Sequence, residues 1–586
     1  MYDKSVSLLS KAHDFLIKSS PSPSNELINA CDYLGLKKGM AHNIVKASLI
    51  SSLISLIPAL ALFLLIKNPW VFFAPIIVNH FYSDYYKSKY YIKRVADFGS
   101  LPDFFSVLIT NLKINPNLES ALANASSLDY GMSSKIAKRI MKKISSGVDI
   151  DAKDELRKEF RAFNDSKVDL CINSIVSAIS VKSQIKRNLL FTDSLNQLLN
   201  SMKNNAELFS RRIYSSVLMI FAIGTIIPLV LVSIFPLMSL INGKFVDAYS
   251  LFFFLIASVL IVAFISNDLK KKSPSKFSQI IIKSKPKALN PFLVLILIAG
   301  FSMPSILLLL EKFLEFKAMV FFREYSAFFF YASASIILSA YFFLKNRDIA
   351  KDKKIVQSIE ESVIDSFMVI GARINEGHSI ESSIKHAVDN SKGHLKEFFF
   401  KIYERISKFG FDLADSFNAS IFSSKIFSKR VKSLSDLLCF TVKKHSVSAG
   451  EAMIEICDYY RRIRGVEFDM DNSLSKNTDM IKMTVFFFSP IVCALIINIS
   501  VLINSFLLDS GGGMFFSFSS IDAELLGLMI SSYLLVLIFV LSNFYSFLKF
   551  GDDGVESELN LSKSLIFALF AFTATLIISK IFFFKL

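Results

Sequence analysis

Glycine and proline are scarce in this chain of 586 residues, at 20 and 14. That scarcity excludes a collagen-like repeat and a Pro/Gly-rich disordered chain. Tryptophan occurs once and cysteine five times. Cys31, Cys171, Cys439, Cys457 and Cys493 are scattered, with no close pair at metal-ligand spacing, so neither a disulfide framework nor a structural zinc site is indicated. The sequence also lacks the G-x-x-x-x-G-K-[ST] loop that cradles phosphate, and no Lys follows the run Gly511-Gly512-Gly513. H-E-x-x-H, G-x-S-x-G and C-x-x-C do not occur. His378, His386 and His394 recur every eight residues. Eight residues carry a helix roughly 80° past two full turns, so the three would not share the face a metal site needs. The expectation is a non-enzymatic chain with no catalytic, cofactor or metal site.

What is plentiful is apolar. Phe appears 59 times and 52% of the residues are hydrophobic, gathered into blocks free of Asp, Glu, Lys and Arg. These run 47–66, 68–83, 213–243, 248–267, 288–310, 325–344, 483–508, 525–548 and 564–579. A helix needs about 20 apolar residues to cross a bilayer. The twelve Leu, Ile or Phe residues from Leu49 to Ile66 favour insertion by about 4–7 kcal/mol before the serines are subtracted. The block 68–83, built around Pro69, Trp70 and Pro75, is short and also compatible with a re-entrant segment. The fold expected is all-α and polytopic, with about nine transmembrane helices.

Charge sets the expected orientation. The chain carries 66 Lys and Arg against 50 Asp and Glu, a formal net charge of +16. The loop 268–287 holds seven lysines (Lys270, Lys271, Lys272, Lys276, Lys283, Lys285, Lys287) against Asp268. The loops on the other side hold only Lys67, Lys244, Lys312, Lys317 and Arg323. The positive-inside rule then puts the N-terminus in the cytoplasm and the chain in the cytoplasmic membrane. Only 549–563 runs against the bias, with Asp552, Asp553, Glu556 and Glu558 against Lys549 and Lys563. The expected divisions are a cytoplasmic N-terminal segment 1–46, a membrane hairpin 47–83, a first cytoplasmic domain 84–212, four spans over 213–344, a second cytoplasmic domain 345–482 and three spans over 483–586. The polar first 46 residues contain no secretory h-region and read as two short amphipathic helices joined around Ser20–Ser24.

The two cytoplasmic domains are related. Residues 84–212 carry 21 basic and 14 acidic side chains, and residues 345–482 carry 23 and 20. Both are Gly-poor, with apolar residues at three- and four-residue steps, the pattern of helices. At a shift of 262, the segment 101–122 lies ungapped over 363–384. The identities are Asp103/Asp365, Phe105/Phe367, Val107/Val369, Glu119/Glu381 and Ser120/Ser382. Each segment starts about 20 residues after a membrane hairpin, which favours internal duplication over chance agreement of period. The repeated unit reads as a helical hairpin turning at Asn115-Pro116 and at Glu376-Gly377. Asn117 and Ser379 sit where N-caps belong, and Glu119 and Glu381 lie in the first turn. Each glutamate either complements its helix end or meets a partner.

On these residues the chain resembles the type II secretion system F domain, the helical module of platform proteins in type IV pilus, type II secretion and Tad-type machines. The residues that carry the resemblance lie between Ile370 and Ile384, with Gly377, Ser379 and Glu381 in the family's G-h-S-h-E order. The first copy departs from it, with Pro116 where the family commonly has Gly and Asn117 for Ser. Two such domains in one chain look most like archaeal platforms of archaella and adhesion pili. The resemblance implies a non-enzymatic assembly platform whose partners are a hexameric secretion ATPase on the cytoplasmic side and pilin or archaellin subunits in the membrane. It leaves residues 1–46 unexplained, and the sequence leaves homodimerisation open. The competing class is a solute transporter. Against it, transporters place ionisable groups near the membrane midplane, and these blocks have none.

Further contact candidates are basic. Lys135, Lys138, Arg139, Lys142 and Lys143 follow the spacing of one helical face, and Arg461, Arg462 and Arg464 form a second cluster. Each reads as a solvated face, a seat for anionic lipid headgroups, or a match for an acidic patch on the motor. Nucleic acid is disfavoured, because no aromatic residues interleave with these charges. The residues singled out for partner contact are Glu119, Glu381, Asp103, Asp365, Gly377 and these eight cations.

Overall fold

The computed structural model describes residues 22–37, 39–66, 73–146, 151–163, 165–228, 230–234, 248–274, 326–423, 428–444, 446–509 and 523–583, with Val6 and Ser10. Helix accounts for 91% of the structure, and there is no strand among the described residues. Six helices are long and apolar enough to cross a bilayer, within 184–234, 251–272, 327–375, 449–502, 526–550 and 554–581. Each coincides with one of the charge-free blocks. The block 47–66 and the described part of 68–83, from Phe73, fall on two further helices, the first of which has an apolar stretch, Met40–Leu56, shorter than a span. The block 288–310 and the Gly511–Gly513 run lie outside the described residues.

Helix α1 (Asn25–Leu34) precedes the hairpin of α2 (Met40–Ile66) and α3 (Phe73–Gly99). Then come α4 (Leu101–Ile114), α5 (Leu118–Ser127), α6 (Met132–Ser145), α7 (Ala152–Phe160), α8 (Ser166–Ile179) and α9 (Gln184–Phe221), followed by α10 (Ala248–Lys272). The second half comprises α11 (Ser326–Asn375), α12 (Ile380–Asn390), α13 (Gly393–Phe409), α14 (Leu413–Ser423), α15 (Lys429–Lys444) and α16 (Ser446–Met483). It ends in α17 (Ser489–Asp509), α18 (Ala523–Phe550) and α19 (Gly554–Phe583).

The offset of 262 read from one 22-residue match extends through the whole unit. Helices α5 and α12 begin at Leu118 and Ile380, and α9 and α16 at Gln184 and Ser446, all at that offset. The intervening starts, Met132/Gly393, Ala152/Leu413 and Ser166/Lys429, keep it to within one residue. After α9 the chain makes a π-helical turn at Ala222–Ile226, and after α16 another at Thr484–Phe488, again 262 apart.

The two copies are not separate domains. One continuous apolar core takes in residues from Leu101 to Ala206 and from Val356 to Met470. Phe104, Phe105, Phe160 and Phe163 stack in the first copy, and Phe367, Phe398, Phe399 and Phe417 in the second. At roughly 1.5–3 kcal/mol per fully buried large apolar side chain, this shared core is the main force joining them. The expectation of two homologous bundles is therefore corrected to one helical body built from two copies. A membrane-side core follows, from Phe209 to Phe572. Because α9 and α16 contribute to both cores, and α11 at 50 residues is about 75 Å long, no loop intervenes where these helices pass from the body toward the membrane.

Candidate functional site

The hairpin tips form as the sequence implies. Asn117 Oδ1 accepts from the backbone N–H of Ser120 at 3.1 Å and Ser379 Oγ from that of Ser382 at 3.3 Å, so both are N-caps. Glu119 and Glu381 stand exposed in the first turns. The two turns differ, however. At the 262 offset Gly377 lies over Asn115, not over Pro116. Gly377 has φ +91°, and the N–H groups of Gly377 and His378 close onto the carbonyls of Ile374 and Arg373, a left-handed helix cap that favours glycine. Asn115 is extended, at φ −139°. The second tip lies far from the apolar spans: about 30 residues of one continuous helix, some 45 Å, separate Ile374 from the charge-free part of α11.

Asp103 and Asp365, identical by alignment, have opposite surroundings. Asp365 is exposed and its Oδ1 lies 2.7 Å from Arg461 Nη2. Asp103 is buried at 2% exposure, 3.8 Å from Nε of Arg430. Arg430, itself buried, donates through both terminal nitrogens to Glu467, at 2.6 and 3.2 Å. Burial opposes the arginine's charge, but Glu467 and Asp103 outweigh it and hold its pKa above the usual value. Beside this ion cluster Tyr130 and Tyr460, one from each copy, donate to the same Ser433 hydroxyl at 3.0 and 2.9 Å. Asp103 is thus a bond between the copies, and its proposed role at an outer contact is corrected. Arg430, Glu467, Tyr130 and Ser433 were not singled out from sequence. Sequence could point to the junction only by what α4 lacks. Between Asp103 and Lys113 its polar positions are Ser106, Thr110 and Asn111, short side chains that bond their own helix's carbonyls at 2.8 Å each.

The long helices α9 and α16 run parallel and side by side. Lys203 pairs with Asp469 at 2.7 Å, Arg462 donates to Asn196 at 3.2 Å, and Asn477 donates to the Ser210 carbonyl at 2.8 Å. Lys113, at the far end of α4, bonds Glu455 on α16 and Thr192 on α9. The pairing continues at the π-turns, where the Thr225 and Ser489 hydroxyls meet at 3.3 Å. Tyr533 from α18 donates to the Gly224 carbonyl at 2.6 Å. A π-turn widens a helix by one residue and recurs at functional positions. Here two sit together within the apolar layer, beyond the last charges of the two helices, Arg212 and Lys482.

The basic clusters divide. Lys143 reaches Glu159 at 2.8 Å and also pairs with Glu155, and Arg139 reaches Glu159 at 3.3 Å. Lys135, Lys138 and Lys142 remain exposed on α6. The second cluster is turned to internal use. Besides the Arg461–Asp365 and Arg462–Asn196 contacts, Arg464 donates to the carbonyls of Glu361 and Glu360 at 2.8 and 2.7 Å.

The acidic 549–563 loop, anomalous in sequence, finds its counter-charges across the bundle. Glu558 meets Lys345 at 2.7 Å, while Glu556 and Asp553 meet Lys353. Burial raises the Asp552 carboxyl above its usual range, partly opposed by Lys270. Lys271 similarly binds Asp84 at 2.6 Å. These pairs hold residues 84, 271, 345–353 and 553–558 on one side of the bundle. Helix α1 joins that side through Glu26, 2.9 Å from Lys87 and 2.7 Å from Tyr91 Oη. Among the described residues no group of three or more His, Cys, Asp or Glu is arranged to hold a metal ion. No family model matches the chain, and neither does any curated protein or solved structure.

Proposed function

We propose that the chain is a non-enzymatic platform in the cytoplasmic membrane that couples a hexameric secretion ATPase to the insertion of pilin or archaellin subunits. One observation carries this reading: a duplicated helical body, joined by a buried ion cluster, whose two long helices continue without a loop into membrane-spanning helices that carry matched π-turns. A body built in this way moves as a unit. A tilt or rotation applied at the hairpin tips reaches the bilayer as displacement of stiff rods, and the π-turns are the points where those rods yield most readily. The positive-inside bias supports a cytoplasmic body, where the ATPase would meet the exposed tips bearing Glu119 and Glu381. The second copy keeps the Gly377-x-Ser379-x-Glu381 pattern, so the dominant motor contact is assigned to it.

The test uses the full-length chain, because the two copies share one core and neither half would keep its surface alone. Binding of the partner ATPase to detergent-solubilised protein is measured for the wild type, Glu381→Gln and Glu119→Gln. A charge lost from a partly desolvated contact weakens binding tenfold or more, and that loss is expected for Glu381→Gln alone. Equal loss in both variants, or a larger loss for Glu119→Gln, would overturn the assignment. Failure of the ATPase to bind the wild-type chain at all would overturn the platform reading.

A further inference from the structure

A cleft of about 710 Å³ opens between α3, the start of α8, α9 and the end of α10. Its inner end lies where the helices leave the apolar layer. Lys271 on one wall binds Asp84, the first charge after the apolar block of α2 and α3, and Arg212 on another precedes the charge-free run that starts at Ile213. The headgroup layer extends roughly 5–7 Å beyond the hydrocarbon on each side. The base of the cleft is therefore at headgroup depth, while its outer end, at Leu198, stands roughly 20 Å higher along α9.

The lining is two-sided. Arg94, Lys167, Arg212, Lys271 and Lys272 face Asp165 and Asp268, and counting Asp84 leaves two positive charges in excess. Several of these cations are already engaged. Lys272 is 2.6 Å from Asp268, and Arg94 donates to the Phe163 carbonyl at 2.7 Å. Arg212 is exposed and forms no ion pair with a described residue. Beside it lie Phe209, Ile213 and Leu208, the last half exposed. Phe209 and Ile213 are themselves buried in the membrane-side core, so depth decides between ligands. A phosphate held at Arg212, at the edge of the apolar layer, can carry acyl chains directly into the bilayer, and basic pockets between membrane helices are suited to anionic headgroups.

We propose that this cleft holds one anionic phospholipid, its phosphate between Arg212 and the α10 lysines and its acyl chains running toward the bilayer past Ser216. The second copy has no equivalent, since Leu474 and Val356 stand at the positions of Arg212 and Arg94, so the stoichiometry is one per chain. The site depends on the helices spanning a bilayer and not on the platform role, which would survive its failure.

Delipidated full-length protein in detergent is examined by native mass spectrometry with phosphatidylglycerol, phosphatidylcholine or glycerol phosphate. One phosphatidylglycerol per chain should be retained, with at least tenfold weaker retention of phosphatidylcholine and of glycerol phosphate. The double variant Arg212→Gln/Lys272→Gln should lose phosphatidylglycerol tenfold, and Lys135→Gln/Lys138→Gln, with the same charge removed elsewhere, should keep it. A photoactivatable phosphatidylglycerol analogue on the wild-type chain locates the site without any variant, with adducts expected on the peptide containing Ile213 and Ser216. Equal retention of both lipids, equal loss in both double variants, or adducts confined to other peptides would overturn the proposal. Glycerol phosphate held as tightly as the lipid would show a site for soluble anions and overturn the lipid assignment.

Discussion

Helix α4 and the last turns of α11 descend from one repeated segment, yet one is enclosed and the other faces out. Every residue from Leu101 to Leu112 is buried. In the second copy Glu361, Ser362, Asp365 and Val369 line an exposed stripe. The cause is visible at a helix crossing. Gly371 on α11 meets Gly450 on α16 so closely that a Cβ on Gly450 would fall 2.6 Å from the backbone of Asn375 and of Gly371. At the 262 offset these positions hold Ile109 and Asn188. Their side chains forbid so close an approach, so α4 cannot come as near to α9 as α11 comes to α16. Instead α4 packs against both α9 and α16 and takes the place between the copies, where its aspartate meets Arg430. At the helix starts paired above, Ser166 and Lys429, Arg430 corresponds to Lys167, which is exposed, so a cation at this position enters the junction in one copy alone. Duplication supplied the scaffold, and a few substitutions at crossings decided which copy became the wedge.

The largest way to break this comparison is Arg430→Met. It leaves Asp103 and Glu467 without their shared cation in the interior, and such breakage costs about 3–5 kcal/mol. Arg461→Met removes the analogous partner of Asp365 at the surface and is expected to cost less than about 1 kcal/mol. Denaturant unfolding of the full chain in detergent would measure both, and similar costs would contradict the buried junction.

Gly450→Ala comes next. Alanine favours a helix over glycine by about 1 kcal/mol, but here the added methyl meets backbone, which cannot move aside as a side-chain tip can. A net loss of about 1–3 kcal/mol is expected. Gly465→Ala on the same helix has nothing within 4 Å of its added methyl and should stabilise by about 0.5–1 kcal/mol. Thermal unfolding of the pair would show opposite signs. Stabilisation by both would mean that the α11–α16 crossing does not set the asymmetry.

The sequence foretold what depends on local chemistry. The caps at Asn117 and Ser379, the breaks at Asn115-Pro116 and Glu376-Gly377, and six spans follow from turn residues and charge-free length. The offset of 262 was legible because apolar period and identities agreed over one hairpin. The opposite burial of Asp103 and Asp365 was not, because both stretches carry the same apolar stripe and burial of the opposite face is set by whatever packs there. The pairing of Glu558 with Lys345 was hidden for a similar reason: 213 residues separate them, and net charge per loop records no contact.

The smallest effect sharpens the comparison most. Asp365→Asn removes only the surface ion pair with Arg461, whose side chains are 62% and 46% exposed. Such pairs contribute about 0–1 kcal/mol, and water and salt screen them. Screening lengths shrink from about 10 Å at 0.1 M salt to about 3 Å at 1 M, so most of that small cost should vanish at high salt. Asp103→Asn keeps the shape of its side chain while removing a charge from a dry junction that solution ions do not enter. Its cost, about 1–3 kcal/mol as for a buried polar group left poorly matched, should persist at 1 M salt. Measuring both variants at 0.1 M and 1 M therefore separates the two aspartates by salt dependence as well as by size. If Asp103→Asn also loses its effect at high salt, the junction is open to solvent and the two copies are less tightly joined than their shared core implies.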